Sequence, residues 1–233
     1  MIIRSRHLSE DSRFSSYCFH STPLIFQPLL IMADRYMQTV LTPSVLQAQK
    51  VYYGKTYPEF DAPSVDPLRE QEVEMIQSRD SFYLATVMEN GWPYLQHRGG
   101  PKGFLRAINS QQIGFADYRG NRQMISVGSI TENDRVSLFL MDYPKKARLK
   151  MLGHARVLDA RENPDLAEKL APPGGHGSAP ERLFVIDLLS YDWNCPKFIT
   201  PRFTEEEVGQ VVEPLKDRIA ELEDQLAVIK KRG

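Results

Sequence analysis

Residues 81–117 read SFYLATVMENGWPYLQHRGGPKGFLRAINSQQIGFAD, and this stretch decides the fold. Ser81–Val87 and Tyr94–Arg98 are strand-like runs separated by Glu89-Asn90-Gly91. An Asn-Gly step between two such runs is a strong hairpin signal, because both residues tolerate positive φ. After Gly99-Gly100-Pro101-Lys102-Gly103 come Phe104-Leu105-Arg106 and, past a polar turn, Gln112–Asp117. The stretch therefore predicts three antiparallel strands in succession. Tyr118-Arg119-Gly120-Asn121-Arg122-Gln123 then leads into Met124–Val127, which reads as a loop entering one or two helical turns. Beyond it, Arg135–Met141 has the composition of a buried strand, and Ala147–Val157 alternates as a half-exposed strand does, with Arg148 and Lys150 on one face. Basic residues and glycines recur where the sheet turns, a pattern suited to an anionic ligand at a barrel rim.

The sharpest of these positions is the helix start after Gln123. The first backbone N–H groups of a helix lack intrahelical partners and lie at the positive end of its dipole, so a phosphate there collects several donors. Gly120 lets the backbone come close, Arg122 offers a bidentate fork, and Asn121 adds a neutral donor. Arg98, Arg148 and Lys150 taken singly read as solvated rim charges; their joint spacing favours a site. His97 and His154 read as hydrogen-bonded strand residues, and neither is assigned a catalytic role.

The run from Asp80 to Val157 resembles the FMN-binding split barrel of the pyridoxamine 5'-phosphate oxidase-like proteins. The resemblance rests on ordered blocks: 81–87, Asn90-Gly91-Trp92-Pro93-Tyr94, Gln96-His97-Arg98-Gly99-Gly100-Pro101, Gly120-Asn121-Arg122-Gln123, Glu132-Asn133-Asp134-Arg135-Val136 and Arg148–Gly153. Asp192-Trp193-Asn194-Cys195-Pro196 through Phe203 is similar to the tail of one uncharacterised branch. The resemblance implies a mainly β, antiparallel Greek-key barrel with flanking helices, a homodimer, and one FMN in each of two clefts between subunits, built by residues of both chains. By position, Gln96, His97 and Arg98 match the strand passing the flavin ring and ribityl chain. Asn121 and Arg122 match a serine-arginine pair that holds the phosphate. Arg148 matches a glutamine at the ring, where a guanidinium suits the negative charge of reduced flavin. Gln123 replaces a second phosphate-binding lysine, so the resemblance implies either a weaker phosphate grip or one that borrows Lys102 or Lys150. Trp193 or Tyr118 would supply an apolar wall for the ring.

The resemblance implies an FMN-dependent oxidoreductase acting on a small molecule. A flavin-binding redox sensor or adaptor without turnover is the alternative, and deazaflavin or heme is a further cofactor option. The classical oxidase carries an arginine-rich segment after the barrel and an arginine-x-histidine signature near its end. Neither occurs in 158–203, where Arg161, Arg182 and Arg202 stand isolated, so vitamin B6 oxidation itself is not expected.

Composition bounds these readings. The chain has 233 residues and a formal net charge of −1 at pH 7, enough for one core and without the basic excess of a nucleic-acid binder. Cys18 and Cys195 are far apart and lack metal-ligand spacing, which argues against a disulfide framework or zinc site and for a reducing, cytoplasmic setting. Residues 1–31 read as an extension ahead of a start at Met32. Their apolar run is interrupted by Gln27 and Pro28 and is too short to span a bilayer. The expected organisation is this extension, a helical segment over 32–79, the barrel over 80–203 and a terminal helix over 204–233.

Thr42, Pro43 and Gly54 bracket a helix over Ser44–Tyr53, and a second helix is expected over Leu68–Gln77, both packing on the barrel. The breaker-rich 171–180 reads as a mobile loop that either lies free or shields the cleft. Thr204 and Glu207 form a capping box. Val208, Val212, Leu215, Ile219, Leu222, Leu226 and Ile229 then recur in steps of four and three, a coiled-coil seam of about three heptads. Pro214 predicts a break near Val212. The seam either lies on its own barrel or pairs with another helix.

Overall fold

A computed structural model describes residues 34–59, 61–193 and 196–232. The 1–31 extension, the start at Met32, Cys18 and Cys195 lie outside the described residues. Seven strands form one antiparallel sheet: β1 (Ser81–Val87), β2 (Pro93–Gly99), β3 (Arg106–Asn109), β4 (Gln112–Asp117), β5 (Arg135–Asp142), β6 (Ala147–Asp159) and β7 (Arg182–Trp193). Their order across the sheet is β2-β1-β5-β6-β7-β4-β3. The described residues also form six helices: α1 (Asp34–Val40), α2 (Pro43–Tyr53), α3 (Glu70–Gln77), α4 (Ile125–Glu132), α5 (Pro164–Leu170) and α6 (Glu205–Arg232). The architecture is the mainly β, antiparallel split barrel with flanking helices expected from the sequence.

The three early strands do not lie side by side. β1 and β2 form the predicted hairpin, with Ser81 opposite Gly99, but β2 and β3 occupy opposite edges. The connection 100–105 crosses between them, held by Gly100 N–H on the Asp80 carbonyl (2.8 Å) and Gly103 N–H on the Arg79 carbonyl (3.1 Å). In the hairpin turn only Gly91 adopts positive φ, at 84°. Asn90 serves differently: its side-chain oxygen accepts the Trp92 N–H at 3.2 Å.

β7 is central, and its Leu183-Phe184-Val185-Ile186 run is buried on both faces, as a strand between barrel wall and helices requires. Phe184 stacks on Phe115 with centroids 4.7 Å apart, and Phe115 meets Phe82 edge-on at 5.5 Å. This aromatic cluster joins β1, β4 and β7 inside the barrel. The β6–β7 ladder shifts register between Leu152 and Gly153. A Cβ at Gly153 would stand 2.6 Å from the Asp187 carbonyl oxygen, so the two backbones approach closely only because residue 153 is glycine.

α3 is fastened by one buried carboxylate. Glu72 accepts the Arg69 N–H at 3.0 Å, closing the helix cap, and the Trp193 Nε1–H at 2.6 Å. The Tyr191 hydroxyl donates to the Pro67 carbonyl at 3.2 Å, and burial, aided by the nearby Glu72 charge, pushes this phenol up to about 12. α1 sets buried Tyr36 under the Lys150 ammonium, 4.7 Å from the ring centre. α2 ends as the sequence predicts, with Gly54 left-handed at φ 70° and its N–H on the Lys50 carbonyl. It buries no residue, however, so it does not pack on the barrel. α6 also departs from expectation, since it runs unbroken through Pro214. Gln210, whose carbonyl loses its helical donor to the proline, is exposed, so water can satisfy that group.

Two outcomes check this description. Gly153→Ala must push β6 off β7 and is expected to cost about 1–3 kcal/mol, read as a lowered urea midpoint with unchanged slope. The Tyr191 phenol, near 10 when unfolded and about 12 when folded, contributes stability that is complete below pH 10 and lost as pH rises toward 12. That contribution is on the order of 2–3 kcal/mol. Alkaline melts should show the decline, and Tyr191→Phe should flatten it.

Candidate functional site

The side chains that close the barrel also line its cleft. Arg98 on β2 donates from Nη1 to Asp117 Oδ1 at 3.0 Å, across the gap between one sheet edge and the far end of β4. Arg182, opening β7, donates from Nε to Asp117 Oδ2 at 2.8 Å and also pairs with Glu181 at 3.0 Å. The Arg98 guanidinium lies over Phe184 (5.0 Å) and Phe115 (5.6 Å). Burial pulls it below its ordinary arginine value while the Asp117 charge opposes this. Arg98 Nε is buried without a hydrogen-bond partner. The Ser126 hydroxyl of α4 donates to Gln96 Oε1 on β2 at 2.7 Å, a second tie across the gap.

Above this network lies a cavity of about 270 Å³, walled by Tyr94, Gln96 and Arg98 on one side and by 120–127 on the other. The loop that enters α4 is unusually shaped: Arg122 and Met124 both take left-handed backbone, at φ 60° and 58°. For residues with a Cβ this costs on the order of 1–3 kcal/mol each. The Asn121 side-chain oxygen accepts the Gln123 N–H at 3.1 Å and braces the turn. Gly128 is the first residue to bond back into the helix, to the Met124 carbonyl at 2.9 Å, so the N–H groups of Ile125, Ser126 and Val127 lack intrahelical partners at the cavity wall. Arg122 lines the same wall, exposed and without a hydrogen bond or ion pair among the described residues. A Cβ at Gly120 would meet nothing within 4 Å, so no contact within the chain requires glycine there.

Of the residues the sequence singles out, Gln96, Arg98, Tyr118, Asn121 and Arg122 come together at this cavity. Tyr118 stacks on His176 from the 171–180 loop at 3.6 Å, which tethers that loop beside the cleft, and burial raises its phenol. The others lie elsewhere in the chain. His97 points to the opposite face of β2, edge-on to Tyr83 at 5.6 Å. Lys102 reaches Glu206 at 3.7 Å, and Lys150 is paired with Asp192 at 2.7 Å. Trp193 packs against the core and donates to Glu72. Arg148 sits on β6 with its Nε buried and unpartnered. Asp117 and Arg182 were not legible as site residues. Both are single charges at strand ends, and the pairing of β4 with β7, distant in sequence, brings them together.

The family model described as pyridoxamine 5'-phosphate oxidase matches residues 68–191. The chain belongs to the pyridoxamine 5'-phosphate oxidase family. The matched segment runs from the start of α3 through β7 and so contains both the barrel and the cavity. Among solved structures, a HupZ variant from Group A Streptococcus is 12% identical, with 54% of this chain and 98% of that one covered and a TM-score of 0.42. A candidate pyridoxamine 5'-phosphate oxidase from Lactobacillus delbrueckii is 18% identical over 55% and 94% of the two chains, with a TM-score of 0.42. An FMN-binding protein from Syntrophomonas wolfei is 10% identical over 54% and 87%, with a TM-score of 0.38. No curated protein matches the chain. Among the described residues, no helix is long and apolar enough to cross a membrane.

The closure of this family member is testable apart from any ligand. Asp117→Ala leaves the half-buried Arg98 guanidinium without its carboxylate and is expected to cost about 1–3 kcal/mol. An unchanged denaturation midpoint would show that the sheet closes without the ion pair.

Proposed function

We propose that the protein binds FMN at this cavity, with the phosphate at the α4 N-terminus, and acts as an oxidoreductase on a small molecule. The observation that carries the reading is the meeting of partnerless N–H groups at 125–127 with the uncommitted Arg122 fork on one wall, inside the family-matched segment. Such a wall suits a dianionic phosphate. Arg98 and Arg182 lie behind it with their charges balanced by Asp117 and Glu181, so among the described residues Arg122 is the uncommitted cation of this wall. Tyr118, stacked on His176, offers the apolar wall. FMN, when bound, supplies reversible two-electron chemistry.

A homodimer follows from the same reading. The cavity of about 270 Å³ falls below the roughly 300–1,000 Å³ usual for a site enclosing a whole ligand. Arg148, with its orphaned Nε, lines no part of it within its own chain. A second copy bringing its Arg148 to the ring side of the cleft would complete the site.

The test is the visible spectrum of the protein after FMN is added and the excess removed, followed by anaerobic addition of a nicotinamide reductant. A retained flavin band that bleaches and returns with air is expected. Retained flavin that stays oxidised with every reductant tried would reduce the reading to binding alone, and no retained flavin would overturn it. Arg122→Ala removes charge-assisted contacts of roughly 1.5–3 kcal/mol and should weaken FMN binding by about one to two orders of magnitude; an unchanged titration would sink the phosphate assignment.

A further inference from the structure

Among the described residues nothing covers the apolar seam of α6. Leu215, Ile219, Leu226 and Ile229 are 59%, 56%, 55% and 66% exposed, and no described strand or helix packs along them. Among the described residues the helix meets the barrel side near its start, where Glu206 reaches Lys102 and Thr204 and Glu207 form the capping box, with Glu207 N–H on Thr204 Oγ1 at 3.2 Å. A 28-residue helix whose apolar stripe faces water lacks the packing from which helices draw most of their stability.

The sequence of the stripe says what covers it. With steps of four and three, Val212, Ile219 and Leu226 fall at the first core position of the heptad, and Val208, Leu215, Leu222 and Ile229 at the fourth. In the two central heptads, Val212 and Ile219 at the first core position with Leu215 and Leu222 at the fourth favour two parallel strands, while Leu226 and Ile229 reverse the order in the last. Pro214 falls on the outward side, clear of the seam. The charges flanking the seam agree with that geometry. In a parallel, in-register pair each Arg218 faces Glu223 of the other copy, and the two-fold axis makes this contact twice. Lys216 and Lys230 then face Val211 and Gln225, so no like charges meet. Arg218 already lies along this flank, paired with Glu221 of its own helix.

We propose that α6 pairs with α6 of a second copy of this chain as a parallel, in-register, two-stranded coiled coil. The pairing rests on the seam and its flanking charges, independently of any cofactor.

Cysteine cross-linking of the full chain tests it, with the unsubstituted protein and its own Cys18 and Cys195 as background. Under mild oxidation Ile229→Cys should become mostly covalent dimer, because only parallel helices bring their two copies of residue 229 together. Asp224→Cys, on the outward side, should stay near background. Adding Glu223→Arg to Ile229→Cys should slow the cross-link severalfold, and adding Arg218→Glu as well should restore it. Ile229→Cys at background, as antiparallel pairing or docking on another protein would give, overturns the proposal. Equal cross-linking at residue 224, or indifference to the charge reversal, overturns it as well.

Discussion

One carboxylate bridges the gap that this sheet leaves open. Asp117 takes Arg98 from β2, an edge strand, where no backbone ladder runs, and is steadied by Arg182, its ladder partner on β7. Asp117 and Glu181 together balance the two guanidiniums in this partly dry setting, and Arg98 is further eased by the faces of Phe115 and Phe184. Such a half-buried pair adds little net stability relative to apolar packing, yet losing one partner is costly. Its main effect is on geometry, because it sets the spacing between β2 and the loop that enters α4.

That spacing defines the cavity. Gln96 and Arg98 alternate with Leu95 and His97 along β2, so one face of the strand turns toward the gap and the other toward Tyr83 and solvent. The opposite wall is a strained turn, braced by Asn121 and ending in three partnerless N–H groups. The groups that fix the fold and those that could receive an anion are therefore neighbours, and the ion network beneath the cavity orients both.

Local signals were read well from sequence. The bracket of Thr42, Pro43 and Gly54 set both ends of α2, and the Gly120–Gln123 loop led into α4 as expected, because each depends on residues a few positions apart. What depended on the closed sheet was not legible. β7 was passed over since a strand buried on both faces shows no alternation, only a run of apolar residues that fits several structures. The strands before and after 100–105 are legible as a succession but not in their places in the sheet, because nothing local states that the chain crosses the barrel there. Pro214 predicted a break by its own chemistry, but an exposed helix can leave one carbonyl to water. Asp117 became significant only once Arg98 and Arg182 stood on either side of it.

Sealing the barrel with side chains has a cost on its outer side. Among the described residues β2 pairs only with β1, so one row of its backbone donors and acceptors stays open, beside exposed Leu95 and Trp92. An open edge of this kind is a template for strands of other molecules. Pro93 and the seven-residue length of the strand limit that hazard without removing it. A fully hydrogen-bonded barrel would present no such edge, and it would also have no gap at this point for a ligand to enter. The risk of edge-to-edge aggregation at high concentration and the presence of the cleft thus have one structural origin.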